Sequence, residues 1–262
     1  MIAFVREVSP SLGDCELTYL ARGSIDWRRA ERQHREYVGV LKTLGCRVYW
    51  LPPLREHPDG VFVEDTALLL PEVVVITRPG AASRRGETDS VVQVLSEQLP
   101  LLRIVPPGTL EGGDILRIGR TIYVGASART NAPGIAQVRE LLYPFGYQVR
   151  TVSFKGCLHL KSACTFIPPD ILVTNPNWVD PSGFEDEHVI VPVDEGEPFG
   201  ANTLTVAGVT LASSAYPRTE ARLKARGVAT RALDVSELHK AEAALTCLSL
   251  LLEPPLALIA GP

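Results

Sequence analysis

Apolar and polar positions alternate in short runs along this chain, and the runs recur in one order. Residues 66–70 and 73–77 read as two strands joined by a tight turn. A polar loop over 78–85 follows. Apolar residues at helical spacing then run from about Thr88 to Gln98, and a strand covers 102–105. A second copy has strands at 115–118 and 121–124 around a Gly119-Arg120 turn, a loop over 125–131, a helix over 134–142 and a strand over 148–152. A third has strands at 204–206 and 209–212 with a turn at Gly208, a loop over 213–218, a helix over 219–226 and a strand over 229–233. Weaker copies fit 4–51 and 163–193. Roughly five ββαβ units predict an α/β repeat architecture of stacked or closed units. An ordinary mixed α/β sheet is the alternative this pattern leaves open.

The loops at matching points of the repeats carry Ser83-Arg84, Ser127-Ala128-Arg129-Thr130 and Tyr216-Pro217-Arg218-Thr219. A lone loop arginine is usually solvated. Arg84 and Arg129 at equivalent points are less expected by chance, because equivalent loops of a closed repeat meet at one face.

Composition narrows the function classes. A chain of 262 residues, 45% hydrophobic and 21% charged, can bury a full core. A net charge of −4 argues against nucleic acid as the main partner. Five cysteines without paired spacing fit a reduced, cytoplasmic protein better than a disulfide framework. The start, MIAFVREVSP, lacks the pattern of a signal peptide. The most apolar stretch, 244–260, is interrupted by Glu253, Pro254 and Pro255, so no membrane span is expected. No CxxC, HExxH or paired-His spacing occurs, so a structural zinc site is not expected.

Four distant segments share one chemistry: Phe62-Val63-Glu64-Asp65, Leu110-Glu111-Gly112-Gly113-Asp114, Leu158-His159-Leu160-Lys161 and Leu245-Thr246-Cys247-Leu248-Ser249. A thiol with an imidazole is a nucleophile with an acid/base partner, and carboxylates beside them would hold a cation. Thiol attack at the carbon of a cationic group suggests a guanidinium substrate. Cys247 follows a helical stretch over 236–244 in which Ser236 is the expected N-cap. Cys15, Cys46, Cys157 and Cys164 read as core residues. His34, His57, His188 and His239 lie in polar stretches and read as surface residues. Glu111 before Gly112-Gly113 is either a solvated turn residue or a buried carboxylate orienting the histidine; the glycines would then allow close backbone approach.

Taken together, and from about Phe4 to about Leu252, these segments resemble the dimethylarginine dimethylaminohydrolases of the guanidino-modifying superfamily. The resemblance implies a single catalytic domain over 1–262, a closed five-fold α/β propeller of ββαβ repeats. It implies Cys247 as nucleophile, His159 as general acid and base, and Glu111 as the group that orients His159. Asp65 would bind the substrate guanidinium, and Glu64 would support that loop. Asp59 and the backbone carbonyl of Leu20 would meet the α-amino group, and Arg84 and Arg129 the α-carboxylate. The reaction implied is hydrolysis of Nω-methylated arginine to citrulline and methylamine or dimethylamine, with no cofactor. The only partner implied is this small molecule, and the assembly is a monomer or homodimer. Many relatives carry another residue at Gly112, read here as tolerated variation. The nearest alternative, an arginine deiminase, would be longer and would carry aspartate two residues after the histidine, where this chain has Lys161. A ribosome anti-association factor of the same fold would leave Cys247, His159 and Glu111 in their motifs without a role.

Overall fold

The computed structural model describes residues 1–96, 99–184 and 188–253. Among these residues fifteen strands form five sheets of three. The repeat is clearest in strands β3 (Ala67–Leu69), β4 (Val74–Ile76) and β5 (Leu101–Arg103), with helix α2 (Glu87–Leu95) between the last two. β3 and β4 pair antiparallel through Ala67↔Ile76, and β5 returns parallel to β4. A hairpin followed by a helical crossover to a parallel strand is the ββαβ unit that the periodicity implied. The predicted end of α2 at Gln98 lies outside the described residues.

The second unit comprises β6 (Ile115–Ile118), β7 (Thr121–Gly125), α3 (Ala132–Leu142) and β8 (Gln148–Val152). Asn131 caps α3 by accepting from the Gly134 N–H at 2.9 Å, which starts the helix two residues before the expected point. Helix α4 is one turn, Leu160–Ala163. In the next unit β9 (Cys164–Ile167) and β10 (Ile171–Thr174) pair antiparallel, and β11 (Val189–Pro192) is parallel to β10. Among the described residues a 3-10 turn at Pro181–Gly183 stands where the other units have a helix. β12 (Leu204–Val206), β13 (Val209–Ser213), α5 (Pro217–Lys224) and β14 (Thr230–Leu233) form a regular unit.

The remaining unit is split between the chain ends. β1 (Ile2–Val5) pairs parallel with β2 (Arg47–Trp50) across helix α1 (Trp27–Thr43), and antiparallel with β15 (Leu250–Leu252) through Ile2↔Leu252 and Phe4↔Leu250. The last strand thus completes the first sheet. β15 also lies against β3, β6 against β9, and β9 against β12. Buried apolar clusters fill the spaces between sheets and helices.

Two local expectations are corrected. His34 is not on the surface. It is 1% exposed, because Ala30, His34, Tyr37, Val38 and Leu41 share the inward stripe of α1, and it packs edge-on against Trp50. Burial lowers its pKa to about 4, against a hydrogen bond to the Leu248 backbone. The helix before Cys247 is also shorter than 236–244. Helix α6 covers only Ser236–His239, its N-cap is Val235, and the chain turns at Glu242 with φ +57. The Ser236 N–H bonds the Asp234 side chain at 3.0 Å, so the capping oxygen comes from two residues earlier. No described helix is long and apolar enough to cross a membrane.

Candidate active site

Each unit presents a side chain just before its antiparallel edge strand. Asp65 sits in a 3-10 turn (Val63–Thr66) before β3, and Glu111 caps a second (Gly112–Asp114) before β6. His159 caps α4 before β9, and Asn202 precedes β12. Cys247 lies in a third 3-10 turn, Thr246–Leu248, before β15. The turn bearing Asp65 packs on both the turn that follows Glu111 and the turn bearing Cys247, so residues scattered over the sequence share one place. One narrow cavity is lined by Asp59, Asp65, Arg84, Arg129, His159 and Cys247.

The imidazole is the best-held group. His159 Nε2 lies 2.7 Å from Glu111 Oε2 and 3.9 Å from Asp65 Oδ1. Burial opposes its protonation. The charges of Asp65 and Asp114 and the hydrogen bond to Glu111 outweigh that, raising the pKa to about 9. The Gly80 N–H donates to Glu111 Oε1 at 3.0 Å, and Arg129 Nη1 lies 3.5 Å from the same oxygen. Glu111 is fully buried and is no solvated turn residue. Its glycines are needed for close approach. A Cβ on Gly112 would stand 1.9 Å from the Glu64 carbonyl oxygen, so the reading of this position as freely variable is corrected for this chain, and one on Gly113 would stand 2.5 Å from His159 Nδ1. Asp114 ends the same motif and was given no role from sequence. It accepts from the Leu160 N–H at 3.0 Å and from Ser127 Oγ at 2.6 Å, which fixes the turn after His159.

Cys247 is 9% exposed, and its Sγ accepts from the Ala244 N–H at 3.4 Å. Burial pushes its pKa far up, and the charges of Glu64 and Asp65 push it further, so the thiol is neutral in the free protein. Thr246 locks the segment. Its Oγ1 donates to Glu64 Oε2 at 2.8 Å and accepts from Asn202 Nδ2, and its N–H donates to Asn202 Oδ1 at 3.1 Å. Asn202 escaped the sequence reading; its only signal was its place before the edge strand β12. The other four cysteines are buried free thiols, as expected of core residues.

Asp65 is only 2% exposed. It accepts from the Gly113 N–H at 3.0 Å and from Arg84 Nη1 at 2.7 Å. Burial alone would raise its pKa, but His159 and Arg84 bring it to about 2, so it is ionised. Glu64 pairs with Lys161, which therefore points inward to an acid. The two arginines differ. Arg84 commits four of its five N–H donors, with Nε and Nη2 on Glu87, Nη1 on Asp65 and Nη2 on the Phe62 carbonyl. Among the described residues the Arg129 guanidinium holds a 3.2 Å bond to Thr18 Oγ1 beside its longer contact with Glu111. Asp59 Oδ2 accepts from the Glu16 N–H at 3.0 Å; burial, partly offset by Arg84, raises its pKa to about 6. Leu20 is 39% exposed and lines a neighbouring pocket with Tyr19, Leu158 and Glu242, outside the cavity of Asp65 and Cys247, whose wall the same loop reaches through Glu16. Ligand atoms of Asp65, Glu111 and His159 lie within 4.8 Å of one another, an arrangement that would hold a cation.

A family profile described as N,N dimethylarginine dimethylhydrolase, eukaryotic, matches residues 22–179. The chain is 35% identical to N(G),N(G)-dimethylarginine dimethylaminohydrolase of Pseudomonas aeruginosa, over 89% of this chain and 92% of that one. It is 37% identical to the Streptomyces coelicolor protein of the same name, over 94% and 95% of the two chains. The structure matches that of the Pseudomonas aeruginosa enzyme, a cysteine-to-serine variant complexed with citrulline, with a TM-score of 0.90 and 34% identity, over 95% of this chain and 97% of that one. An arginine dihydrolase domain from cyanobacteria has a TM-score of 0.84 at 20% identity, a likeness of fold alone. The chain belongs to the dimethylarginine dimethylaminohydrolase family.

Proposed function

We propose that this protein hydrolyses Nω-methylated arginines to L-citrulline and methylamine or dimethylamine. The observation that carries the reading is one cavity holding a neutral thiol, a carboxylate-bound imidazole and an ionised Asp65. Asp65 receives the guanidinium, and Glu64 keeps that turn and Thr246 in place. The incoming cation offsets the negative charges that hold the Cys247 proton, so the thiol gives that proton to bulk water as the substrate binds, His159 being protonated already. Sγ attacks the guanidinium carbon. His159, oriented by Glu111, gives a proton to the departing amine as the C–N bond breaks, leaving a thiouronium on Cys247. His159 then takes a proton from water, whose oxygen attacks the same carbon. The C–S bond breaks, the hydroxyl proton of the adduct passes to the departing thiolate, and neutral citrulline leaves beside the restored thiol. This scheme uses no cofactor.

Asp59 and the Leu20 carbonyl are assigned to the α-amino group, and the arginines to the α-carboxylate. Arg129 has the free capacity for the carboxylate; Arg84 meets it only while remaining tied to Asp65 and Glu87. Arg129→Ala is therefore expected to raise KM with a smaller effect on kcat, a loss of about 1.5–3 kcal/mol in kcat/KM. Arg84→Ala is expected to cost about 3–5 kcal/mol of stability, because it leaves Asp65 and Glu87 buried without their cation. Steady-state kinetics and chemical denaturation of the two variants check this. Equal KM effects with unchanged stability would refute the division of labour.

Citrulline release from asymmetric dimethylarginine, monomethylarginine and arginine tests the whole reading. Methylated substrates are expected to have the higher kcat/KM. Lys161 is bound to Glu64 and supplies no acceptor for the extra N–H groups of arginine, and each unpaired donor costs about 1–3 kcal/mol. No citrulline from any of them would sink the proposal, and a preference for arginine would make the chain a deiminase. We infer also that the five sheets close into one propeller. The pairing of β15 with β1 and the convergence of the five pre-strand positions support this. Five unpaired thiols favour a reducing compartment such as the cytoplasm. Light scattering decides between monomer and homodimer.

A further inference from the structure

Leu17 packs against the core at the base of the loop 16–20, but the tip of that loop has little apolar burial to hold it. Tyr19 is 53% and Leu20 39% exposed, so their side chains contribute little to seating it. It is held by polar contacts. One acidic residue dominates them at the tip: the carboxylate of Glu242 accepts from three successive backbone N–H groups, those of Thr18 (2.9 Å), Tyr19 (2.5 Å) and Leu20 (2.5 Å). Successive N–H groups converging on one carboxylate make a strong charge-assisted anchor. Glu242 itself has φ +57, a backbone region that disfavours side-chain-bearing residues, so its position is bought by its contacts. It stands on the short segment that leads to Cys247, next to Ala243 in the cavity wall. The same loop touches the groups assigned to the two ends of the substrate. The Glu16 N–H bonds Asp59, and Thr18 Oγ1 bonds Arg129.

We propose that Glu242 is the positioning residue that fastens loop 16–20 over the cavity, and that it sets the affinity for the amino-acid end of the substrate. With the carboxylate in place, the N–H groups of Thr18–Leu20 point at Glu242, and the loop keeps Asp59 and Arg129 in register. Without it, three donors lose their acceptor and the loop leaves the cavity open. The affinity part rests on the methylarginine reading; the loop part does not.

Glu242→Gln tests this with the backbone conformation burdened as before. An amide oxygen can accept from these donors, but its NH2 group faces them with more hydrogens. In the free protein, amide hydrogen exchange over residues 16–22 is expected to speed up by about tenfold or more, with the rest of the chain unchanged. In turnover of asymmetric dimethylarginine, KM is expected to rise about tenfold or more, with kcat within a few-fold. Glu242→Gly adopts the positive φ freely and removes the carboxylate, so it should show the same exchange and the same KM if the acid is what matters. Unchanged exchange at 16–22 in folded Glu242→Gln and Glu242→Gly proteins overturns the latch. Faster exchange with unchanged KM overturns its part in affinity. If the wild-type protein releases no citrulline from any methylarginine, the functional reading fails and the affinity part with it, while the exchange result still decides the latch.

Discussion

Cys247→Ser is expected to lower kcat by about 10⁴-fold or more while leaving the fold intact. A hydroxyl is a far weaker acid and nucleophile than a thiol, and this site does little to activate either. Burial, Glu64 and Asp65 all favour the protonated thiol. Activation must come from the bound cation, and that gain is too small to make an alkoxide. Serine still fits beside the Ala244 N–H that now meets Sγ, so the melting temperature should stay close to that of the wild type. Substantial citrulline release by the folded variant would remove Cys247 as nucleophile. The neutral thiol carries a corollary: iodoacetamide should label Cys247 slowly at neutral pH in the free protein, and faster as the pH rises.

For His159→Gln, turnover is expected to fall by about 10²–10⁴-fold, the usual worth of a positioned acid or base. If water attack suffers more than amine departure, the thiouronium on Cys247 accumulates and mass spectrometry detects it. The pH profile supplies a second readout. In the free protein the imidazole is protonated up to about pH 9, so activity that needs its proton should decline as pH rises through about 9, and the variant should lack that limb. Linkage has the same sign for stability. The folded-state pKa is raised above the ordinary value of 6.5, so this group's contribution is fully present below about pH 6.5 and is lost as pH rises through about 9. A wild-type-like rate and profile in His159→Gln would exclude the role.

Much of this molecule was legible from local rules. The hairpins at 66–77 and 115–125 and the helix over 134–142 follow from two short-range signals: alternation of side chains across a strand and apolar spacing along a helix. Both survive folding because neighbouring residues set them. The Leu110-Glu111-Gly112-Gly113-Asp114 segment is also self-explanatory, since only glycine fits against the Glu64 carbonyl and the His159 ring. What the sequence by itself determined was therefore the repeat, the chemistry-bearing segments and the family they resemble. Tertiary structure decided the rest. It buried His34, whose polar neighbours in sequence are not its neighbours in space. It ended α6 at His239, because Glu242 turns the chain to reach the loop at Thr18–Leu20, more than two hundred residues earlier in the chain. It separated Arg84 from Arg129, alike in the repeat, by placing Asp65 and Glu87 against one and leaving the other nearly free. It also set the protonation of Cys247 and His159. Charge and burial are sums over everything nearby, and nearness across five sheets is not written in the spacing of residues along the chain.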